Sequence, residues 1–272
     1  MNKVELTIGI ATCGRPRVLK RCIRSIDKFT KTPHKFIVLD NIKAFTNKRE
    51  AQLTNLPKGV KLIEVTDRKI GCCESNNILE DACNTPYFMH IDDDVYLDKE
   101  GLIDILFNKL KDLEGRFNHK VPMVGGAWGD TFYGQERHCT MKYIYGETNG
   151  VYYVKKLPIP YNFSRDFNID WIPTDELLHS YIVNIVDARA NKFRWDNHFQ
   201  WKGDRLDYFH SIKDKAMMLQ YNGDVFIHDP QPFRYGSISY EDFKGAEAKE
   251  YFLNKWGIVP LVGWDKEQLK PK

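Results

Sequence analysis

The sequence predicts an α/β fold in which a mostly parallel sheet is flanked by helices. Over the first half of the chain, strand-like apolar runs alternate with helix-like segments, and the links between them are short. This alternation is typical of β-α-β units, whose right-handed crossovers bring successive strands together. From Tyr133 to Tyr153 aromatic residues alternate with polar ones, so the pattern switches from parallel to antiparallel strands near Val121. We therefore expect one half over residues 1–120, a second half of the same fold over 121–238, and a C-terminal helix and tail over 239–272.

The first half contains the clearest strand and helix patterns. Four apolar runs read as buried strands. These runs are Val4–Ala11, Lys35–Leu39, Val60–Val65 and Tyr87–Ile91. A helix with apolar residues at helical spacing follows the first run, a second helix leads into the fourth, and a third is predicted over Lys99–Leu113.

The second half has weaker signals. Strands are predicted over Val121–Trp128 and Leu177–Val186, and glycines at Gly146 and Gly150 indicate hairpin turns. Asn222–Gly223 predicts a further turn. Two short strands flank that turn, Ala216–Gln220 and Asp224–His228, and the last helix is expected over Tyr240–Trp256.

Charge and composition exclude several classes of protein. The chain of 272 residues has 40 basic and 37 acidic side chains, and this near-balance argues against a dedicated nucleic-acid-binding protein. No apolar run is long enough to cross a bilayer, and the N-terminus lacks the apolar core of a signal peptide. The six cysteines are scattered without paired zinc spacing. We interpret them as reduced thiols and expect a cytoplasmic protein.

The most informative stretch is the run of three acids, Asp92–Asp94, directly after the predicted strand Tyr87–Ile91. Three adjacent carboxylates repel one another at the edge of a core, and a divalent cation with oxygen ligands would compensate them. The alternative is a solvated turn with an aspartate cap before the helix over Lys99–Leu113.

Other polar residues follow the remaining predicted strands. Thr12, Asp40 and Gly71 each lie at a strand end or in the loop after it. Because the carboxyl ends of parallel strands meet at one edge of a sheet, we expect these residues to converge with the three acids. For Asp40 alone, an Asx turn is the competing interpretation.

Four segments in this order resemble the nucleotide-sugar half of glycosyltransferase family 2. They are Ile8–Pro16, Val38–Asn41, Gly71–Asn77 and Met89–Asp94. The resemblance implies the GT-A fold, a Rossmann-like, mostly parallel sheet with a smaller antiparallel acceptor-side part. It also implies that Thr12, Arg15 and Asp40 hold the nucleoside, that Asp92 contacts the ribose, and that Asp94 binds a metal ion on the diphosphate. The remaining residues assigned to the nucleotide site are Gly71, Asn76, Asn77 and Asp93.

A second segment, Trp201–Phe209, is similar to the acceptor-side segment of inverting GT-A enzymes. In that resemblance an acid beneath the sugar takes the proton from the acceptor hydroxyl. Asp204 is the first choice for this base and Asp207 is the alternate, because their spacing does not distinguish them. The competing interpretation for Asp204 is an N-cap of a helix over Leu206–Lys213.

Two further features are less specific. His228 ends an alternating strand, where such enzymes supply a late metal ligand, although a structural histidine is equally compatible. An imidazole beside Asp94 would favour manganese over magnesium. Lys155, Lys156 and Arg234 could neutralise phosphate, but we interpret them as solvated charge.

Four aromatic residues would suit stacking on sugar rings, although packing in the core is the competing interpretation for at least half of them. They are Trp128, Tyr133, Trp195 and Trp201.

The sequence therefore predicts an inverting, metal-dependent glycosyltransferase with a nucleotide-sugar donor and a glycan or glycoconjugate acceptor. The family resemblance favours UDP as the nucleotide. A sugar nucleotidyltransferase is one alternative, although Gly14–Pro16 is too short for its phosphate loop. A non-catalytic nucleotide- or carbohydrate-binding module is the other. Peripheral membrane contact is possible through three residues of the last helix, Lys249, Lys255 and Trp256.

Overall fold

The computed structural model describes residues 3–44, 53–116, 120–130, 137–138, 141–148, 150–158, 170–178, 180–199, 204–229 and 245–261. Its strands are β1 (Leu6–Thr12), β2 (His34–Asp40), β3 (Lys61–Glu64), β4 (Tyr87–Ile91), β5 (Val95–Tyr96), β6 (Val121–Asp130), β7 (Arg137–His138), β8 (Met141–Thr148), β9 (Val151–Pro158), β10 (Trp171–Pro173), β11 (Ser180–Asn184), β12 (Ala216–His228) and β13 (Val259–Leu261). Its α-helices are α1 (Pro16–Phe29), α2 (Cys72–Ala82), α3 (Leu102–Leu113), α4 (Ile185–Ala190), α5 (Asp204–Ile212) and α6 (Gly245–Trp256).

Within the described residues, one ten-stranded sheet contains strands from both predicted halves of the chain. Its order is β10-β12-β6-β11-β4-β1-β2-β3, with β5 paired to β12 and β7 paired to β6. Strands β4, β1, β2 and β3 are mutually parallel, which confirms the four strands predicted for the first half. Strand β11 is antiparallel to both of its neighbours, whereas β12 runs parallel to β6. A separate sheet contains β13, β9 and β8.

Helices cover the two faces of the large sheet and enclose two apolar layers. Helices α1 and α3 pack on one face, where the apolar stripe of α1 is buried. Helices α2, α5 and α6 pack on the other face. Strands buried on both faces explain why β1, β2 and β4 read as continuous apolar runs. The strand packing is close, and a methyl group at Gly9 would overlap the Phe88 ring of the neighbouring strand.

Two turn predictions in the second half are wrong. Gly146 lies inside β8, and the tight turn between β8 and β9 lies at Gly150, which has a positive φ of 77°. Asn222 and Gly223 do not join two antiparallel strands. They lie within the single strand β12, where the pairing with β6 shifts between Tyr221 and Val225 as a β-bulge.

None of the helices in the described part of the chain has the length and apolar character needed to span a membrane. Lys255 and Trp256 of α6 both bind Asp207 through their side-chain nitrogens. This side of α6 therefore packs on the protein, which contradicts the suggestion that these two residues face a membrane.

Candidate active site

The ends of the parallel strands bring the predicted residues together at one edge of the sheet. Thr12 and Asp40 are register partners at the last positions of β1 and β2. Strand β4 ends at Ile91 beside them, so Asp92–Asp94 leave the sheet at the same edge. The convergence that the sequence predicts for Thr12, Asp40 and the three acids is present in the structure.

Arg15 joins two of the three adjacent acids. The Thr12 hydroxyl donates to Asp93 Oδ2 at 2.5 Å, and Arg15 Nε donates to the same oxygen at 3.2 Å. Arg15 Nη1 donates to Asp94 Oδ2 at 2.8 Å, and Arg15 also forms an ion pair with Asp93 Oδ1. Burial raises the pKa of both carboxyls, and the guanidinium opposes that shift. Asp93 and Asp94 are buried and ion-paired, so the solvated-turn alternative is wrong for them.

His228 lies against the third acid because β5 pairs with the end of β12. Val95, directly after Asp94, is the register partner of His228. His228 Nε2 is 3.7 Å from Asp94 Oδ1, the oxygen opposite the one that binds Arg15. The Trp128 ring stacks on the imidazole with a centroid distance of 4.6 Å. The packing fixes the histidine ring beside the carboxylate.

Asp94 and His228 fit a shared divalent cation. His228 Nε2 and Asp94 Oδ1 are 3.7 Å apart, so one ion can bind both atoms at about 2.1 Å each. Among the described residues, no group of three or more histidine, cysteine, aspartate or glutamate side chains is arranged to hold an ion. A protein that supplies one or two ligands and leaves the others to water and substrate phosphates is typical of magnesium-type sites. The donor set therefore suits an ion that arrives with a diphosphate.

Asp40 is a buried carboxylate with one unsatisfied oxygen. Its Oδ1 accepts a hydrogen bond from the Ile42 backbone N–H at 3.1 Å, which is the geometry of the predicted Asx turn. Its Oδ2 has no hydrogen-bond partner among the described residues, although the side chain is 2% exposed. Burial raises the pKa of Asp40 to about 6. Such an oxygen is suited to accept a hydrogen bond from a ligand.

We expect the substitution Asp40→Asn to flatten the pH dependence of stability. Because the pKa of Asp40 is raised in the folded chain, its contribution to stability is largest below the unfolded pKa and is lost as the pH rises through about 6. Between about pH 5 and pH 8 this loss amounts to about 1 kcal/mol of unfolding free energy. Urea unfolding at the two pH values measures it.

Asp67→Asn is the matched control for this experiment, because the Asp67 side chain is 73% exposed in the neighbouring loop. This control is expected to retain the pH dependence of the wild-type protein. If Asp40→Asn also retained it, the assignment of the titration to Asp40 would be wrong.

Asp204 is the first residue of α5 and is 9% exposed. Two residues near Asp204, Cys72 and Arg205, are also near Asp92, one of the three acids after β4. Burial, followed by the nearby carboxylates of Asp204 and Asp92, raises the pKa of Cys72 well above its ordinary value. Burial opposes protonation of Arg205, but Glu176, Asp204 and Asp92 together raise the pKa of its guanidinium. Asp204 and Asp92 therefore share the same surroundings.

Asp207 is one turn further along α5 and has different contacts. Its carboxylate accepts a hydrogen bond from Trp256 Nε1 at 2.7 Å and another from Lys255 Nζ at 2.9 Å. The side chain is 2% exposed. These bonds attach α6 to α5.

Comparison with known proteins shows the family of the chain. The model of the family described as "Glycosyl transferase family 2" matches residues 7–171, which is more than half of the sequence. The chain belongs to glycosyltransferase family 2. The region matched contains Thr12, Arg15, Asp40 and the three acids, but it ends before Asp204.

Solved structures with the GT-A fold resemble this chain. Staphylococcus aureus TarS, residues 1–349 in complex with UDP-GlcNAc, has 15% sequence identity and a TM-score of 0.56, and the match covers 92% of this chain and 66% of TarS. GalNAc-T7 with UDP, GalNAc and Mn²⁺ has 13% identity and a TM-score of 0.57, covering 88% of this chain and 46% of that one. Likeness at this level of identity establishes the fold.

A curated relative of this chain is the DNA polymerase of Escherichia phage T5. It is 32% identical over 82 residues, and the match covers 30% of this chain and 10% of that protein. The chain thus corresponds to about a tenth of that relative's length, and the match does not bear on the activity of this chain.

The residues predicted to form the nucleotide loop, Gly71, Asn76 and Asn77, have different contacts. Gly71 precedes α2, and its carbonyl accepts the Ser75 hydroxyl at 2.8 Å. The Asn76 amide donates to Cys72 Sγ at 3.7 Å. Asn77 donates to the Trp195 carbonyl at 2.9 Å and accepts from its N–H at 3.1 Å. The contacts of Asn77 thus join α2 to the loop around Trp195.

The structure also overturns two minor interpretations. Trp195, considered for stacking on a sugar, is 2% exposed and stacks on Tyr208 at 4.0 Å between ring centroids. Lys156 is not a solvated charge, because its Nζ binds the buried Glu176 at 2.5 Å. The other aromatic residues considered for stacking, Tyr133 and Trp201, lie outside the described residues, as does Arg234.

The sequence analysis missed Glu176 and Arg205. Glu176 follows Asp175 directly, just before the apolar run Leu177–Val186 that contains β11, and Arg205 directly follows Asp204. An acid next to an apolar run was the available signal, since a buried acid requires a partner. Its partners are distant in the sequence and could not be read from spacing.

Proposed function

We propose that this protein is an inverting, metal-dependent glycosyltransferase that transfers a sugar from a UDP-sugar to a hydroxyl group of a glycan or glycoconjugate. One observation carries the proposal. The unsatisfied oxygen of Asp40, the Asp94–His228 pair and the buried Asp204 belong to one continuous set of neighbouring residues. Together they supply an acceptor for the nucleoside, ligands for a cation and a base.

The donor end of this site begins at Asp40. Its Oδ2 is suited to accept a hydrogen bond from a uracil N–H or a ribose hydroxyl, and Thr12 and Arg15 line the same edge. Asp92 follows β4 at that edge and would contact the ribose. The complexes of TarS with UDP-GlcNAc and of GalNAc-T7 with UDP support a uridine nucleotide here.

Asp94 and His228 would hold the divalent cation. When bound, the ion neutralises the diphosphate and the negative charge that develops as the sugar departs. We favour manganese over magnesium because imidazole suits the softer ion, and GalNAc-T7 was solved with Mn²⁺.

Asp204 is the base in our proposal. It accepts the proton of the acceptor hydroxyl, the hydroxyl oxygen bonds to the anomeric carbon, and the bond from that carbon to the diphosphate breaks on the opposite face. UDP leaves, and the configuration at the carbon inverts. The bonds of Asp207 to Lys255 and Trp256 support a role for that residue in holding α5, which favours Asp204 over Asp207.

A calorimetric binding screen tests the proposal. UDP, GDP and a series of UDP-sugars are titrated into the protein with and without manganese. We expect UDP compounds to bind more tightly than GDP and manganese to increase their affinity. Nucleotide binding that is indifferent to divalent ions would contradict the metal site. Release of pyrophosphate from a sugar phosphate and a nucleoside triphosphate would instead identify a nucleotidyltransferase.

A further inference from the structure

Glu176 is a buried acid with two cations beside it, one more than is needed to balance its charge. Its side chain is 1% exposed, and Oε2 accepts from the Tyr143 hydroxyl at 2.7 Å and from Lys156 Nζ at 2.5 Å. Arg205 Nε lies 3.7 Å from Oε1. Burial alone would raise the pKa of Glu176, but Lys156 and Arg205 more than offset it and lower the pKa. One lysine and one hydroxyl already satisfy this carboxylate.

Arg205 lies further from Glu176 than Lys156 does. Its ion pair with Glu176 is longer than a hydrogen bond, and the described residues accept no hydrogen bond from its remaining N–H groups. The side chain is 33% exposed. A guanidinium has five donors in a planar fork that matches phosphate and carboxylate oxygens. Arg205 therefore has donors available for a ligand.

Arg205 and Lys156 also border the candidate base. Arg205 follows Asp204 directly, and the carboxylates of Asp204 and Asp92 both raise its pKa. Asp204 acts on Lys156 in the same direction, although burial leaves the lysine pKa below its ordinary value. Lys156, Arg205 and Glu176 together carry two positive charges and one negative charge, a net charge of +1. Without these cations, the neighbouring carboxylates of Glu176, Asp204 and Asp92 would repel an anionic molecule that approached Asp204.

We propose that Arg205 and Lys156 bind an anionic group, a phosphate or a carboxylate, on the acceptor. This inference rests on the proposed function, because it assumes that the acceptor hydroxyl lies beside Asp204. Glu176 holds the two cations in place, and the exposed part of each faces the ligand's oxygens. The acceptor class is then a hydroxylated compound with a negative charge close to the hydroxyl that receives the sugar.

Calorimetry on the full chain saturated with UDP and manganese tests the proposal, since UDP keeps probe anions out of the diphosphate position. The probes are sn-glycerol 3-phosphate, glycerate and neutral glycerol, which differ only at the end that carries the charge. We expect at least one anionic probe to bind about tenfold or more tightly than glycerol, because hydrogen bonds to charged groups are worth roughly 1.5–3 kcal/mol. The preferred probe separates phosphate from carboxylate.

Variants assign this binding to the two cations. Arg205→Gln and Lys156→Gln are each expected to reduce the affinity for the anionic probe by about tenfold, whereas Arg205→Lys keeps the charge and loses less. Lys142→Gln removes a lysine on the same hairpin that pairs with the half-exposed Asp175, and it is expected to change nothing. Thermal melting checks that each variant is folded.

Three results would overturn the proposal: equal affinity for glycerol and both anions, unchanged anion affinity in Arg205→Gln, or a loss of UDP affinity in that variant. The last would place Arg205 on the donor. If the wild-type protein failed to bind UDP, the proposed function would fail on its own. Anion affinity that still depended on Arg205 would then support the anion site alone.

Discussion

Asp204→Asn is expected to slow UDP release from the preferred UDP-sugar, with water or an acceptor as the second substrate, by about 10²–10⁴-fold. Asparagine preserves the shape of the side chain but does not accept a proton at this step. The affinity for UDP is expected to stay within about twofold, because the donor contacts in our proposal come from other residues. Initial rates at saturating donor, together with calorimetry, measure the two quantities.

Two variants accompany this experiment. Asp214→Asn changes an exposed acid just beyond the end of α5 and is expected to behave as the wild type. Asp207→Asn weakens the bonds to Lys255 and Trp256, so it is expected to affect the melting temperature more than the rate of sugar transfer. Near-normal turnover in Asp204→Asn, combined with loss of turnover in a folded Asp207→Asn protein, would reverse the assignment of the base.

The second large effect is expected for Asp94→Asn. An amide is a poorer ligand for a hard cation than a carboxylate, so manganese should no longer increase the affinity for UDP. Sugar transfer is expected to fall by about 10²-fold or more, because stabilisation of the departing diphosphate by a cation is worth several kcal/mol. Titration of UDP with and without manganese, and rates over a manganese series, give both results.

Asp98→Asn is the matched control, because Asp98 is an exposed acid four residues further along the chain. His228→Gln supplies a graded comparison. It is expected to keep a dependence on divalent ions but to lose the preference for manganese over magnesium. A dependence on manganese that survived unchanged in Asp94→Asn would exclude Asp94 as a ligand.

The sequence was most informative where a buried element has its own pattern. Tyr87–Ile91 was predicted with the bounds that the structure has, since a strand covered on both faces is apolar throughout. The convergence of Thr12, Asp40 and the three acids followed from the direction of parallel strands alone. These inferences needed no knowledge of side-chain contacts.

The sequence was least informative where contacts join distant segments. Asn222–Gly223 has the composition of a hairpin turn, but the pairing of β12 with β6 imposes a bulge there instead. The approach of His228 to Asp94 depends on the pairing of β5 with β12, and only family resemblance suggested it. The burial of Glu176 among Lys156 and Arg205 also depends on tertiary packing.

Helix α6 lies near the end of the described chain, and its bonds to Asp207 help to hold the helix that carries the proposed base. Lys255 also binds Asp196 at 2.8 Å, so one lysine fastens the loop after α4 and helix α5 together. Helix α5 begins with Asp204, and any tilt of this helix moves the proposed proton acceptor. We therefore expect a protein shortened before α6 to keep every residue of the proposed site and yet to transfer sugar slowly.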